Sequence, residues 1–237
     1  AFSLMLLIVA VVAHRAGMLD TPSFMKVFLL DAAIALLALV CAAMAFTRLW
    51  VRGDRVGGDI AVGVMSAAVA LVPAAGAAVS MVTHPALVDL STDTDDPPAL
   101  LVGQAERGPG ANPIGKIDAR QAEIQAAAYP VVAGHRYELL LEDAVAAVRQ
   151  AITEAGWVAG PTDATSGVVT LSAVARSPIF AMPADVAVRV TDEDGTVFDM
   201  RSVSRYGRHD LGDNAARIDA FYRSLDTIAA SHAPAAQ

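Results

Sequence analysis

Two groups of polar residues, far apart in the sequence, contain the residue types that could bind or transform a ligand. The first polar group lies in the stretch VDLSTDTDDPPAL at residues 88–100 and comprises Asp89, Asp93, Asp95 and Asp96. The second polar group lies in residues 199–218 and comprises Arg201, Ser202, Ser204, Arg205, His209, Asp210, Asn214 and Arg217. Carboxylates, guanidinium groups and an imidazole could together bind an anion, transfer a proton or neutralise one another.

The functional interpretation of the second polar group is an anion or carboxylate site. Arg201, Arg205 and Arg217 would bind the anion, because guanidinium groups and a helix N-terminus both favour negative charge. His209 and Asp210 would act beside it as an acid–base pair. This interpretation predicts an open pocket in which the imidazole reaches a carboxylate.

The structural interpretation, which we prefer, is that the charges neutralise one another. Asp93, Asp95 and Asp96 would pair with the arginines of the second polar group and fasten the first polar group to the end of a sheet. Asp210 or Asp213 would cap a helix through its side-chain oxygens. This interpretation predicts buried or half-buried ion pairs and no free site.

A calcium site is a third possibility for the aspartates of the first polar group. They lack the glycine at the sixth position and the glutamate at the twelfth that a helix–loop–helix calcium site uses. Ser202 and Ser204 are predicted strand positions, which is not the setting of a nucleophilic serine. The sequence therefore predicts no metal and no cofactor.

Apolar segments fill the N-terminal third of the chain and predict a membrane anchor within residues 1–83. Residues 24–46 and 59–81 each exceed the roughly 20 residues that cross a bilayer as a helix. Residues 1–13 are apolar but shorter, and we expect them to be the latter part of a first helix that begins before Ala1. A cleaved signal peptide is the competing interpretation. About three transmembrane helices are predicted.

One acidic residue and one pattern of small residues stand out within these segments. Asp31 lies inside the second segment, and an acid within the membrane is a functional hypothesis by default. The alternative is that Asp31 lies near the interface and reaches water or a donor on a neighbouring helix. Gly63, Ala67, Ala70 and Ala74 form small-residue faces that allow close helix approach.

Basic residues predict the orientation of the chain in the membrane. The loop after the segment at 24–46 carries Arg48, Arg52 and Arg55, whereas residues 14–26, before and at the start of that segment, carry Arg15 and Lys26. Cytoplasmic loops are enriched in lysine and arginine. We therefore expect a multi-pass protein of a bacterial inner membrane, with its C-terminal domain on the periplasmic side.

The net charge differs between the first 83 residues and the remainder of the chain, and it argues against nucleic acid as a partner. The 237 residues carry a net charge of −8, and the first 83 contain five basic and four acidic residues, which leaves −9 for the remainder. An acidic domain repels phosphate backbones, so no nucleic acid is expected as a partner. The single cysteine, Cys41, lies in an apolar segment and can form no internal disulfide.

The remainder of the chain predicts a small α+β domain. Residues 84–118 are rich in Pro, Gly and Asp and indicate an extended linker, and residues 119–237 form the soluble domain. Helices are expected near residues 118–130, 141–157 and 211–230, and strands at residues 167–176, 185–190 and 196–205. The strands would form an antiparallel meander sheet covered by the helices.

The length of the loop between the last two strands is also predictable. A three-residue loop, residues 193–195, places Val190 opposite Phe198 and Val188 opposite Met200, so that apolar residues share one face. It also places Arg189 opposite Asp199, and Gly195 would take the left-handed position of a bulged turn.

Several motifs resemble one bacterial family. They are DLSTDTDDPPAL at 89–100, YP at 129–130, GW at 156–157, VAVRV at 186–190 and MRSVSRYGRHDLGDNAARIDAF at 200–221. Together they resemble the uncharacterised family catalogued as domain of unknown function 1499, over residues from about 87 to 229. The resemblance implies membrane segments ahead of the domain and no established reaction. The family pattern has two aspartates before the VAVRV strand, whereas this sequence has only Asp185.

These observations lead to two functional expectations. The first is a non-enzymatic, membrane-anchored accessory or assembly subunit of a larger inner-membrane complex, with membrane lipids and other subunits as partners. The second is a periplasmic hydrolase-like enzyme or a binder of small anions. Its site would combine Asp93, Asp95 and Asp96 with Arg201, Arg205, His209 and Asp210.

Overall fold

A computed structural model describes residues 1–52 and 57–232, and the chain divides into two compact units, Ala1–Thr83 and His84–Gln237. The first unit contains α1 (Phe2–Arg15), α2 (Thr21–Arg52) and α3 (Gly57–Thr83). Within the described residues, α2 and α3 are long and apolar enough to cross a membrane, whereas α1 is shorter. The predicted membrane anchor is therefore supported by two candidate spans, and a third is not confirmed. Arg55, on which the predicted orientation partly depends, lies outside the described residues.

Small residues and one acid lie in the interior of this helical unit. Ala35 of α2 packs with Ala67 and Ala70 of α3, so α3 uses its small-residue face within the unit. Asp31 is 1% exposed, and no described residue donates a hydrogen bond to its Oδ1. Because α2 begins at Thr21, Asp31 lies almost three turns into the helix. The acid thus faces the helix bundle.

The second unit is built on one antiparallel sheet. Its strands are β1 (Asp89–Ser91), β2 (His135–Tyr137), β3 (Val158–Thr165), β4 (Val168–Arg176), β5 (Pro183–Asp192) and β6 (Thr196–Ser204). The strand order is β1-β6-β5-β4-β3, and β2 also pairs with β6. The predicted meander corresponds to β4, β5 and β6, with β1, β2 and β3 as additions. A short 3₁₀ helix (Gln104–Arg107) and helices α4 (Ala119–Ala128), α5 (Leu141–Glu154) and α6 (Asp213–His232) complete the unit.

The predicted register between β5 and β6 is confirmed. Val190 pairs with Phe198, Val188 with Met200 and Arg189 with Asp199, and residues 193–195 form the loop. Gly195 has φ of 96°, the left-handed conformation that this turn needs. The register directs the apolar side chains of both strands to one face and the charged side chains to the other.

Helices α5 and α6 cover the apolar face of the sheet. The core contains Val186, Val188 and Phe198 from the sheet, together with Val148 of α5 and Leu225 of α6. Helix α4 begins with a capping box, in which Asp118 and Gln121 bond each other's backbone N–H groups.

The opposite, charged face of the sheet is covered by the chain between β1 and α4. Part of the segment predicted as an extended linker is therefore integral to the domain, since β1 pairs with β6 and Leu101 N–H donates to Ser172 Oγ at 3.3 Å. The side-chain amide of Gln125 in α4 bonds both backbone groups of Ser91, at 3.2 and 2.6 Å. This amide occupies the outer edge of β1 in place of another strand.

Candidate functional site

Strand β6 divides the second polar group between the two faces of the sheet. Successive side chains of a strand point to opposite faces. Arg201 and Arg205 lie on the charged face, whereas Ser202 and Ser204 lie beneath α6, where they bond Asn214. The structure therefore divides the one predicted site between the two faces of the sheet.

Arg201 forms a two-pronged ion pair with Asp89 of β1. Its Nε lies 3.0 Å from Asp89 Oδ1 and its Nη2 lies 2.7 Å from Asp89 Oδ2, while Nη2 also donates to the Gly115 carbonyl at 2.7 Å. Arg201 is 4% exposed. Such parallel hydrogen bonds are the strongest arrangement that a guanidinium and a carboxylate form. The pair fixes β1 to β6 by side chains as well as by backbone.

Asp185 of β5 accepts hydrogen bonds from two arginines, in what we call the Asp185 cluster (Arg107, Asp185 and Arg205). Arg205 donates from Nε at 2.9 Å and from Nη2 at 2.6 Å to Oδ1, and Arg107 donates from Nε to Oδ2 at 2.6 Å. Asn112 supports the cluster by donating its backbone N–H to the Arg205 carbonyl at 2.6 Å. Arg107 also donates to the Asn112 carbonyl. The single aspartate before the VAVRV strand is thus fully engaged inside the fold.

Arg189 of β5 forms ion pairs with two aspartates of the first polar group. We call Asp93, Asp96, Arg189 and Asp199 the Arg189 cluster. Arg189 Nη2 lies 2.8 Å from Asp93 Oδ2 and 3.1 Å from Asp199 Oδ2, and Nη1 lies 2.8 Å from Asp96 Oδ2. Our predicted partners, the arginines of the second polar group, were therefore wrong for Asp93 and Asp96. Asp95 is exposed and bonds Asp93 Oδ1 through its backbone N–H at 3.1 Å.

The network beneath α6 joins the end of β6 to the first turns of the helix. Asn214 is fully buried; its Oδ1 accepts from Ser202 Oγ at 2.8 Å, and its Nδ2 donates to Ser204 Oγ at 3.0 Å. Arg217 Nη1 donates to Asn214 Oδ1 at 2.6 Å and to Ser202 Oγ at 3.0 Å, and Nη2 pairs with Asp213. Arg217 is therefore engaged within the domain.

His209 and Asp210 bond to the backbone instead of to each other. His209 Nε2 lies 3.0 Å from the His84 carbonyl, and Nδ1 accepts the Leu211 N–H at 2.9 Å, which requires the neutral tautomer with its proton on Nε2. Asp210 accepts the backbone N–H groups of Gly212 and Asn214, both at 3.0 Å, and so caps α6. Burial raises the pKa of Asp210, and these two hydrogen bonds only partly offset that effect.

A cavity of about 720 Å³ opens beside the Arg189 cluster. Five carboxylate residues line it around one guanidinium, namely Asp93, Asp95, Asp96, Glu193 and Asp199 around Arg189. Within the described part of the chain, no group of three or more His, Cys, Asp or Glu side chains is arranged to hold a metal ion. The cavity is an acidic recess whose chemistry is set by excess carboxylate.

Comparison with known proteins identifies the family. Residues 89–225 match the family model described as "Protein of unknown function (DUF1499)". The chain belongs to this family. No curated protein and no solved structure matches it. The DUF1499 region begins with β1 and ends in α6, so it includes both polar groups and lies beyond the candidate membrane spans.

Sequence reasoning missed two arginines of this DUF1499 domain. Arg107 lies in the segment interpreted as a linker, and its side chain is nevertheless fully buried against Asp185. Arg189 was paired with Asp199 by the predicted register, but its contacts to Asp93 and Asp96 were not expected. A signal was present for Arg189, because a charged residue in an otherwise apolar strand needs counter-charges on its own face of the sheet.

Proposed function

We propose that this protein is a non-enzymatic, membrane-anchored accessory or assembly subunit of a larger inner-membrane protein complex. In this proposal α2 and α3 hold the chain in the membrane, and the DUF1499 domain contacts other subunits on the periplasmic side. The observation that carries the proposal is the internal pairing of the second polar group. Arg201, Arg205 and Arg217 each bond a carboxylate of the same domain.

The competing proposal, a hydrolase-like enzyme or a binder of small anions, needs one of these groups to face a ligand. A general base must reach a substrate proton by hydrogen bonding. Both ring nitrogens of His209 instead bond backbone groups, and Asp210 caps α6. Arg201 is 4% exposed and would have to leave Asp89 before it could bind an anion. The geometry thus favours the subunit proposal over the enzyme proposal.

The acidic recess beside Arg189 indicates the chemistry of the surface that a partner subunit would present. Its five carboxylate residues exceed the single guanidinium, and Asp96 is 87% exposed on its side chain. Complementary charge steers association and gives specificity. We therefore expect the partner to present lysine or arginine side chains to this recess, and we expect binding to weaken as the salt concentration rises.

Co-purification tests the subunit proposal. The full chain, tagged and expressed at its native level, should elute from mild detergent at low salt with other membrane proteins in fixed ratio. Asp96→Lys should reduce the recovered partner several-fold, whereas Asp163→Lys, an equally large charge change on the exposed strand β3, should not. A chain that elutes alone after cross-linking in intact membranes would contradict the proposal.

Cysteine labelling tests the proposed orientation. Cys41 is the only cysteine, so a Cys41→Ser background allows single reporter cysteines to be introduced. Asp163→Cys should react with a membrane-impermeant maleimide added to cells whose outer membrane has been permeabilised, because β3 would face the periplasm. Asp54→Cys, in the predicted cytoplasmic loop between α2 and α3, should react only after lysis. The reverse pattern would overturn the periplasmic assignment.

A further inference from the structure

A cavity of about 460 Å³ within the second unit is separate from the acidic recess. Apolar side chains form most of its wall, from the β4–β5 loop, the start of β5 and the beginning of α6. Among them are Phe180, Met182, Ala184, Leu211 and Ala216. The volume is within the range of pockets that hold small organic ligands.

The polar groups in the wall of this cavity already have partners in the protein. Ser204 Oγ accepts from Asn214, Tyr206 OH donates to the Arg107 carbonyl at 3.0 Å, and His209 and Asp210 bond backbone groups. A polar ligand would have to compete with these bonds to be recognised. The cavity is therefore suited to an occupant that contributes apolar surface.

Backbone conformation holds the wall in place at an energetic cost. Leu211 has φ of 60° and Ala181, beside Phe180, has φ of 53°, both in the region that side chains disfavour. A Cβ atom at Gly212 would lie 2.5 Å from the ring of His84, so only glycine fits there. Strained backbone persists where the surrounding structure requires it, and it is concentrated at binding sites.

A candidate membrane span ends immediately before the first residue of the cavity wall. His84, which lines the cavity, is the residue that follows Thr83, the last residue of candidate span α3. Ile179, another wall residue, is 69% exposed although it is a large apolar side chain. We propose that this cavity binds the acyl chain of a membrane lipid. The inference shares with the subunit proposal the placement of α3 in the membrane, and it does not depend on a partner subunit.

Photo-crosslinking tests the lipid site on the full chain in vesicles. The probe is a phospholipid with a diazirine at the end of one acyl chain, and cross-linked peptides are identified by mass spectrometry. We expect cross-links to residues 177–184 or 204–216 in addition to α2 and α3. Cross-links confined to α2 and α3 would overturn the proposal.

Two alanines one turn apart on α6 provide a matched pair of variants. Ala216 lines this cavity, whereas Ala220 lines only a neighbouring groove, and both are exposed. Ala216→Phe should lower cross-linking in the second unit at least fivefold, because the ring fills the cavity, whereas Ala220→Phe should leave it unchanged. Equal yields in the two variants, or cross-links between two copies of the chain in place of lipid, would contradict acyl-chain binding.

Discussion

The Asp185 cluster and the Arg189 cluster lie on the same face of one sheet and have opposite compositions. Asp185, whose side chain is 1% exposed, lies between two guanidinium groups, whereas Arg189, at 16% exposure, lies among three carboxylates. In the first cluster the central charge is fully removed from water. In the second, Asp96 keeps 87% of its side chain in solvent. Burial, more than the number of ion pairs, should decide how much each cluster stabilises the domain.

Replacing the centre of the buried cluster should have the largest effect. Asp185→Asn leaves Arg107 charged and fully buried, and Arg205 charged and partly buried, with no carboxylate between them. Breaking a buried pair in this way costs about 3–5 kcal/mol. The free energy of unfolding can be measured by denaturant titration of the full chain in mild detergent. Trp157, which stacks on Phe221, is the reporter in a Trp50→Phe background.

A matched aspartate on the same strand provides the control for this first prediction. Asp192, at the exposed end of β5, can be changed to asparagine with an expected loss below about 0.5 kcal/mol. If Asp185→Asn and Asp192→Asn destabilised the domain equally, burial would not distinguish the two clusters.

Arg205→Ala should have the second largest effect. Asp185 keeps its hydrogen bond from Arg107, so only one of its two counter-charges is lost. A hydrogen-bonded interaction with a charged group contributes about 1.5–3 kcal/mol. Because both Arg205 hydrogen bonds share the acceptor Oδ1, we expect one such loss, with a lower melting temperature. Arg208→Ala, three residues away and exposed, should leave the melting temperature unchanged. A loss as large as that of Asp185→Asn would mean that Arg107 does not compensate.

Substitutions in the Arg189 cluster should destabilise the domain less than those in the Asp185 cluster. The loss of stability should also differ between Asp96 and Asp93. Asp96→Ala removes an exposed partner and should cost at most about 1 kcal/mol, decreasing as salt is added. Asp93→Ala should cost more, because Asp93 Oδ1 also accepts the backbone N–H groups of Asp95 and Asp96 at 3.1 and 2.9 Å. The two variants are compared by the same titration at low and high salt. Equal losses would show that the turn bonds contribute nothing.

The sequence predicted local features of the domain more completely than its long-range pairing. The β5–β6 register followed from face alternation around a three-residue loop, because adjacent strands must place Val188 and Met200 on one face. Strand β3 was missed, because its Gly160-Pro161 pair disfavours a strand and it forms at the sheet edge with a shifted register. Strands β1 and β2, of three residues each, are too short to show an alternating pattern.

In the candidate site, too, the sequence predicted the kind of interaction but not the long-range pairs of residues that form it. The sequence predicted that aspartates would neutralise arginines, since buried charges need partners. It did not predict which arginine meets which aspartate, because Asp93 and Arg189 are 96 residues apart and meet only when the chain between β1 and α4 crosses the sheet. The role of Asp210 as a cap was accessible, because it precedes a periodic apolar stripe.

Asp210 is another buried carboxylate to compare, and its hydrogen bonds come from backbone N–H groups instead of from arginine. Its pH-dependent contribution to stability is the smallest effect that we predict. Because burial raises the pKa of Asp210, the folded domain retains a proton there at pH values where the unfolded chain has released it. Unfolding then releases a proton, so the contribution of Asp210 to stability should fall as the pH rises from the ordinary aspartate pKa through the raised one.

Asp210→Asn isolates this contribution, because asparagine does not ionise. The variant loses one acceptor for the N–H groups of Gly212 and Asn214, and that loss is the same at every pH. The difference in unfolding free energy between wild type and variant should therefore shrink as the pH rises through this window and stay constant above it. A difference that grows with pH would mean that the ionised form of Asp210 is the one that the fold stabilises, as expected for a carboxylate paired with arginine and not for one held by backbone groups alone.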